Sequence, residues 1–146
     1  MIVIASDHAG VELKARLVAA ARAAGHEIVD LGPADTSSVD YPDFAHRVAA
    51  AVAAGEAERG VLICGTGIGM SITANRHPGV RAALCHDAFT AEMARRHNDA
   101  NVLCLGARVT GAGVAEQVLA VFLATGFEGG RHQRRVARIE CGEEGS

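Results

Sequence analysis

Cys64 stands where an apolar run meets a glycine-rich turn. Val61-Leu62-Ile63-Cys64 is followed at once by Gly65-Thr66-Gly67-Ile68-Gly69-Met70-Ser71. A run that breaks into alternating glycines reads as a buried strand, a tight turn and a helix. A thiol at that junction faces backbone N–H groups and a helix N-terminus, which favour negative charge and hence the thiolate. The same groups suit an oxyanion or a phosphate. The chemistry on offer is proton transfer beside an anion; the competing reading is a small buried hydrophobe at a strand end. The turn is not a dinucleotide fingerprint, because Met70 occupies the third glycine position, and no Gly-Lys-Ser/Thr follows to make a Walker A loop.

Three other segments carry reactive or charged groups. Asp7-His8 comes just after the apolar run Ile2-Val3-Ile4-Ala5. A carboxylate and an imidazole there suit acid–base work or a polar ligand, and equally an N-cap aspartate beside a solvated histidine. Arg95-Arg96-His97-Asn98 ends a helical run, where basic residues and a capping Asn are expected from the macrodipole alone. In Arg131-His132-Gln133-Arg134-Arg135, Arg131 and Arg135 are four apart and share a helix face. They make a fork for a phosphate, or a solvated basic face, and Gly129-Gly130 supplies a sharp turn before them.

The elements that must position these groups alternate. Strand-like runs fall at 2–5, 27–31, 61–64, 80–84 and 102–105, and helical runs at 11–24, 44–54, 69–76, 88–96 and 113–124. That alternation predicts right-handed βαβ units and a mostly parallel sheet covered on both faces. Ligands then bind at the carboxyl ends of the strands, which selects Ser6-Asp7-His8, Cys64 to Gly67, Cys85-His86-Asp87 and Gly106-Ala107-Arg108.

The chain has 146 residues, 49% of them hydrophobic, 21% charged and 3% aromatic, with no Trp. That suits one soluble domain over residues 1–140 with an Ala/Val/Leu/Ile core and a frayed tail at 141–146. The net charge of -3 speaks against a general nucleic-acid binder. Lys14 is the one lysine among arginines, the cation suited to bidentate recognition of phosphate or carboxylate. Cys64, Cys85, Cys104 and Cys141 form no CxxC pair and have no His at zinc-finger spacing, so neither metal nor disulfide framework is expected. Free thiols suggest a reducing, cytoplasmic setting. Asp7 and His8 interrupt the first apolar run too early for a signal peptide, and no run approaches the roughly 20 residues of a membrane span.

Ser6-Asp7-His8-Ala9-Gly10, Asp40-Tyr41-Pro42, Ile63 to Gly69, Arg96 to Asn101, Leu105 to Arg108 and Gly129 to Arg135 follow one another in order. As a set they are similar to the ribose-5-phosphate isomerase type B family, which includes galactose-6-phosphate isomerase subunits. The resemblance implies a three-layer α/β, Rossmann-like fold with a five-stranded parallel sheet, in a homodimer (or a tetramer) with active sites shared between subunits. It implies interconversion of ribose 5-phosphate and ribulose 5-phosphate without metal or organic cofactor. By position, Cys64 resembles the base that moves a proton between C1 and C2. Thr66 and the loop N–H groups of Gly65, Gly67, Ile68 and Gly69 resemble the cradle for the enediolate. His97, aided by Asp7, resembles the acid that opens the furanose ring, and Asn98 a ligand of a sugar hydroxyl. His8, Arg108, Arg131 and Arg135 resemble the phosphate site, some of it supplied by the partner. One branch of the family replaces the cysteine with a Glu from the following turn. Met70 holds that position and cannot accept a proton, which places this chain in the cysteine branch. Isomerisation of allose 6-phosphate or galactose 6-phosphate, and non-catalytic phosphosugar binding, stay open; a thiol redox role lacks a resolving partner.

Overall fold

Five strands form one all-parallel sheet in the order β2-β1-β3-β5-β4. They are β1 (Ile2–Ser6), β2 (Ile28–Asp30), β3 (Arg59–Cys64), β4 (Ala82–Leu84) and β5 (Val102–Gly106). The helices are α1 (Val11–Ala23), α2 (Tyr41–Ala53), α3 (Ile68–Ala74), α4 (Ala88–Asn98), α5 (Ala112–Ala124) and α6 (Arg131–Ala137), with a 3-10 turn at His8–Gly10. The computed structural model describes residues 1–141, so the expected frayed tail, 141–146, lies outside the described residues from 142 onward.

Alternation along each strand divides the core into two layers. Ile2, Ile4, Val61, Ile63, Leu103 and Leu105 meet α1, α4 and α5 through side chains such as Leu17, Ala94 and Phe122. Val3, Ala5, Leu62, Val102 and Cys104 meet α2 and α3 through Phe44, Val48 and Met70. The α/β sandwich expected from the alternation is the fold observed. Close approach is built in where it is needed: a Cβ on Gly60 would lie 2.5 Å from Val48, so α2 rests directly on β3.

The central strands end together. Ser6 pairs with Ile63, and Cys64 with Gly106. After β2 the chain crosses to the other side of β1 to begin β3, so the switch in strand order lies between β1 and β3, where open parallel sheets take ligands.

Both edge strands are shorter than their apolar runs, and side chains account for it. Past Asp30 the chain is held by Lys14, which is 2% exposed. Its Nζ donates to both Asp30 carboxylate oxygens (2.8 and 2.6 Å) and to the Pro33 carbonyl (2.9 Å). Before β4, the Asn101 amide takes the Arg81 N–H (2.8 Å) and donates to Gly79 O (2.9 Å), folding residues 79–81 into a turn. Asn75 pairs its amide with Ala82 N and O (2.8 and 3.0 Å), filling hydrogen bonds that an edge strand leaves open. The cap of α4 is Asp99, left-handed at φ 48°, rather than Asn98.

Candidate active site

In a parallel sheet all carboxyl ends share one edge, and the helices run back to the other. The residues singled out in the sequence therefore fall into two groups. Asp7 and His8 follow β1, Cys64 to Gly69 follow β3, and Arg108 follows β5. His97 and Asn98 close α4 at the amino edge, where Arg131 and Arg135 of α6 join them. The Glu128 N–H donates to Arg96 O (3.0 Å), tying the approach to α6 to the end of α4. Between Cys64↔Gly106 and Gly60↔Val102 lie four residue steps, so about 13 Å of sheet separates the groups. One chain does not bring His97 to its own Cys64.

At the carboxyl edge the geometry is tight. The Gly67 N–H donates to Cys64 Sγ at 3.1 Å, closing the turn onto the thiol. Thr66 Oγ1 accepts from Ile68 N at 3.2 Å, fixing the turn. Gly67 sits at φ 81°, and a Cβ there would lie 2.9 Å from the Leu105 carbonyl carbon and 2.5 Å from Leu84. The left-handed backbone costs an alanine about 1–2 kcal/mol, and overpacking about 1–3 more. Gly67→Ala is expected to lower the unfolding free energy by about 2–5 kcal/mol, read as a lower denaturant midpoint; an unchanged midpoint would mean that the turn is soft. At Gly69 a Cβ would collide with the Tyr41 ring, so the start of α2 lies over the start of α3.

Asp7 is nearly buried beside Cys64's strand, its N–H bonded to Ile63 O (3.0 Å). Its Oδ1 accepts from Ala9 N at 2.9 Å, so Asp7 caps the 3-10 turn as an N-cap aspartate. His8 is not simply solvated: its Nδ1 accepts from Val39 N (3.3 Å), which puts any proton of the neutral ring on Nε2. The Arg108 guanidinium lies against Gly65, Nη1 being 3.3 Å from where a Cβ would stand. The other thiols are placed differently. Burial pushes Cys104 far up and Cys85 up, and Cys141 is exposed.

At the amino edge, His97 stacks on His132 with centroids 4.2 Å apart and planes 10° apart. Burial, then the neighbouring His97 and Arg131, hold His132 below the ordinary histidine range. Arg131 and Arg135 are exposed on α6, and among the described residues neither forms a salt bridge. Arg95, by contrast, is structural: it is buried, bonded to Asp99 Oδ1 (2.9 Å), Ala100 O (2.7 Å) and Thr125 O (3.0 Å). Glu128 and His132 are partners of His97 that the sequence pattern does not single out; the signal available is their four-residue spacing across the Gly129-Gly130 turn.

The chain matches a family model described as Ribose/Galactose Isomerase over residues 2–139. Ribose-5-phosphate isomerase B of Escherichia coli is 44% identical over 143 residues, covering 98% of this chain and 96% of that protein. The structure of type B ribose 5-phosphate isomerase from Trypanosoma cruzi superposes with a TM-score of 0.93 at 51% identity, covering 97% of each chain. That of ribose-5-phosphate isomerase B from Clostridium thermocellum gives 0.93 at 48%, covering 94% of this chain and 93% of the other. With a match of this extent in sequence and fold, the chain belongs to the ribose/galactose isomerase family.

Proposed function

We propose that this isomerase interconverts D-ribose 5-phosphate and D-ribulose 5-phosphate through an enediolate, with Cys64 as the base and no cofactor. The observation that carries the reading is the Gly67 N–H aimed at Cys64 Sγ, in an anion-binding turn beside Asp7. Ring opening takes a proton from the anomeric hydroxyl and delivers one to the ring oxygen. Asp7 takes the first and His97 delivers the second. The Cys64 thiolate then removes the proton from C2 of the open aldose. Thr66 and the loop N–H groups through Gly69 face the enediolate oxygens, and such preorganised donors contribute several kcal/mol. Return of the proton to C1, with a proton exchanged between O1 and O2, gives the ketose. Asn98 holds a hydroxyl, and His8, Arg108, Arg131 and Arg135 hold the phosphate.

Since the two groups lie at opposite edges of one chain's sheet, a second copy supplies His97, Asn98, Arg131 and Arg135 to Cys64. Ile68, Phe89 and Val109, each more than half exposed within a few residues of a strand's carboxyl end, and Ile72 one turn further along α3, support burial against such a copy. Residues 1–140 act as one domain, and the free thiols suit the cytoplasm. No helix of the described residues is long and apolar enough to cross a membrane.

A turnover assay over five- and six-carbon aldose phosphates tests the substrate: the highest kcat/KM is expected for ribose 5-phosphate, and a six-carbon preference would reject it. Arg135→Ala removes a charge-assisted bond worth about 1.5–3 kcal/mol, so KM is expected to rise roughly 10- to 100-fold with kcat less affected. An unchanged KM would make Arg131 and Arg135 a solvated helix face.

A further inference from the structure

Three donors meet at the amino edge: His97 at the end of α4, and Glu128 and His132 on either side of the turn into α6. One ligand atom each from His97, Glu128 and His132 lies within 4.8 Å of the other two. His97 Nε2 is 3.9 Å from Glu128 Oε2, and His132 Nε2 is 3.7 Å from Oε1, both too long for hydrogen bonds. His132 Nε2 is buried without a hydrogen-bond partner, on a side chain only 8% exposed. A desolvated sp² nitrogen thus faces the Glu128 carboxylate, while its ring lies flat against that of His97. Its position is fixed by the turn before α6, where Gly129 and Gly130 have φ of 70° and 56° and the His132 N–H donates to Gly129 O (3.1 Å).

We propose that His97, Glu128 and His132 form a site for a divalent transition-metal ion of the Zn²⁺ kind, and that an ion held there inhibits the enzyme by occupying His97. Two imidazoles and a carboxylate are the donor set of open zinc sites, with a fourth position left for water. Zinc–ligand distances of about 2.0–2.1 Å require the donors to close in by about 1 Å and the His97 ring to turn out of its stack on His132, so that both ring planes meet at the ion. Glu128 is half exposed and His97 partly so on the last turn of α4, and both have room to do this. Imidazole donors select Zn²⁺, Ni²⁺ or Cu²⁺ over Mg²⁺ and Ca²⁺. Arg131 and Arg135 stand nearby and weaken the pull on a cation. The site is therefore inhibitory and reversible rather than a resident cofactor centre. The binding half stands on the geometry alone; the inhibition rests on the role proposed for His97.

The test is Zn²⁺ titration of the wild-type protein, Glu128→Gln and His132→Gln, followed by calorimetry without substrate and by isomerase rate. In the wild type a single ion per chain is expected to bind and to lower turnover. A chelator restores the rate without itself reducing that of the zinc-free enzyme, and Mg²⁺ has no effect. Glu128→Gln, on an exposed side chain that leaves the fold intact, is expected to raise both the calorimetric Kd and the half-inhibiting concentration at least tenfold. His132→Gln does the same. Wild-type zinc affinity in both variants would overturn the site. So would a Co²⁺ spectrum with a sulfur-to-metal charge-transfer band that disappears in Cys64→Ala, since the ion would then sit on the thiol. If zinc-free protein shows no isomerase activity the functional reading fails, while calorimetry still decides the metal site. Zinc that binds to these residues without changing turnover would overturn the inhibition.

Discussion

Cys64→Ser is expected to lose isomerisation by at least the 10²–10⁴-fold typical of a general base, while still binding phosphosugar. Serine has nearly the shape of cysteine but a far higher pKa, so it accepts a proton poorly near neutral pH. The neighbours stay in place: the Gly67 N–H that donates to Sγ can donate to Oγ, and Arg108 lies over Gly65 independently of residue 64. Exchange of the aldose C2 hydrogen with solvent should fall together with turnover, and the affinity of an enediolate-like inhibitor should change little. Alkylation of the wild-type thiol should inactivate, and bound substrate should protect it. A serine variant with near-full turnover would make Cys64 a packed strand-end residue and send the search for a base to Asp7.

Mixing two inactive proteins, Cys64→Ala and His97→Ala, is expected to regenerate activity. About half of the dimers formed by random exchange in a symmetric homodimer carry one copy of each variant. In those dimers one site contains both lesions and the other contains neither. Recovery should approach about a quarter of the wild-type rate, starting from a background lower by two or more orders of magnitude. The geometry behind this is the sheet itself, whose β3 and β5 hold Cys64 and the start of β5 at opposite edges. Proven subunit exchange without recovery would place both residues in one chain's site and refute the shared arrangement.

The fold was legible because burial wrote it twice. Apart from the edge strand β2, where Val29 and Asp30 are exposed, the β-rich runs are apolar on both faces, as strands covered by helices on both sides must be, and each is separated from the next by a helical run or a glycine or proline break. What escaped was where edge strands stop. Asn101, Asn75 and Lys14 end β4 and β2 by bonding backbone or a distant carboxylate, contacts whose partners lie 16 to 22 residues away or across a turn. The carboxyl-edge group was readable for a local reason: Asp7, Cys64, Thr66 and Arg108 each come within two residues of a strand end. The amino-edge group was not, because grouping His97 with Glu128 and His132 depends on α4 and α5 both running back across the sheet. His132 was hidden further by its company. A histidine inside Arg131-His132-Gln133-Arg134-Arg135 looks solvated, yet it is the one residue of that string turned inward.

The burial of Lys14 gives the protein a built-in reporter. Its ammonium is the only side-chain amine in the sequence and is locked against Asp30 and Pro33 between α1 and β2. An acylating reagent therefore reaches it only when that corner opens, so the labelling rate follows the opening of α1 from β2. A single mass shift on the peptide containing Lys14 becomes a clock for local unfolding, with no substitution introduced. For the same reason, attachment to a support through side-chain amines fails while the chain is folded and succeeds once it has opened.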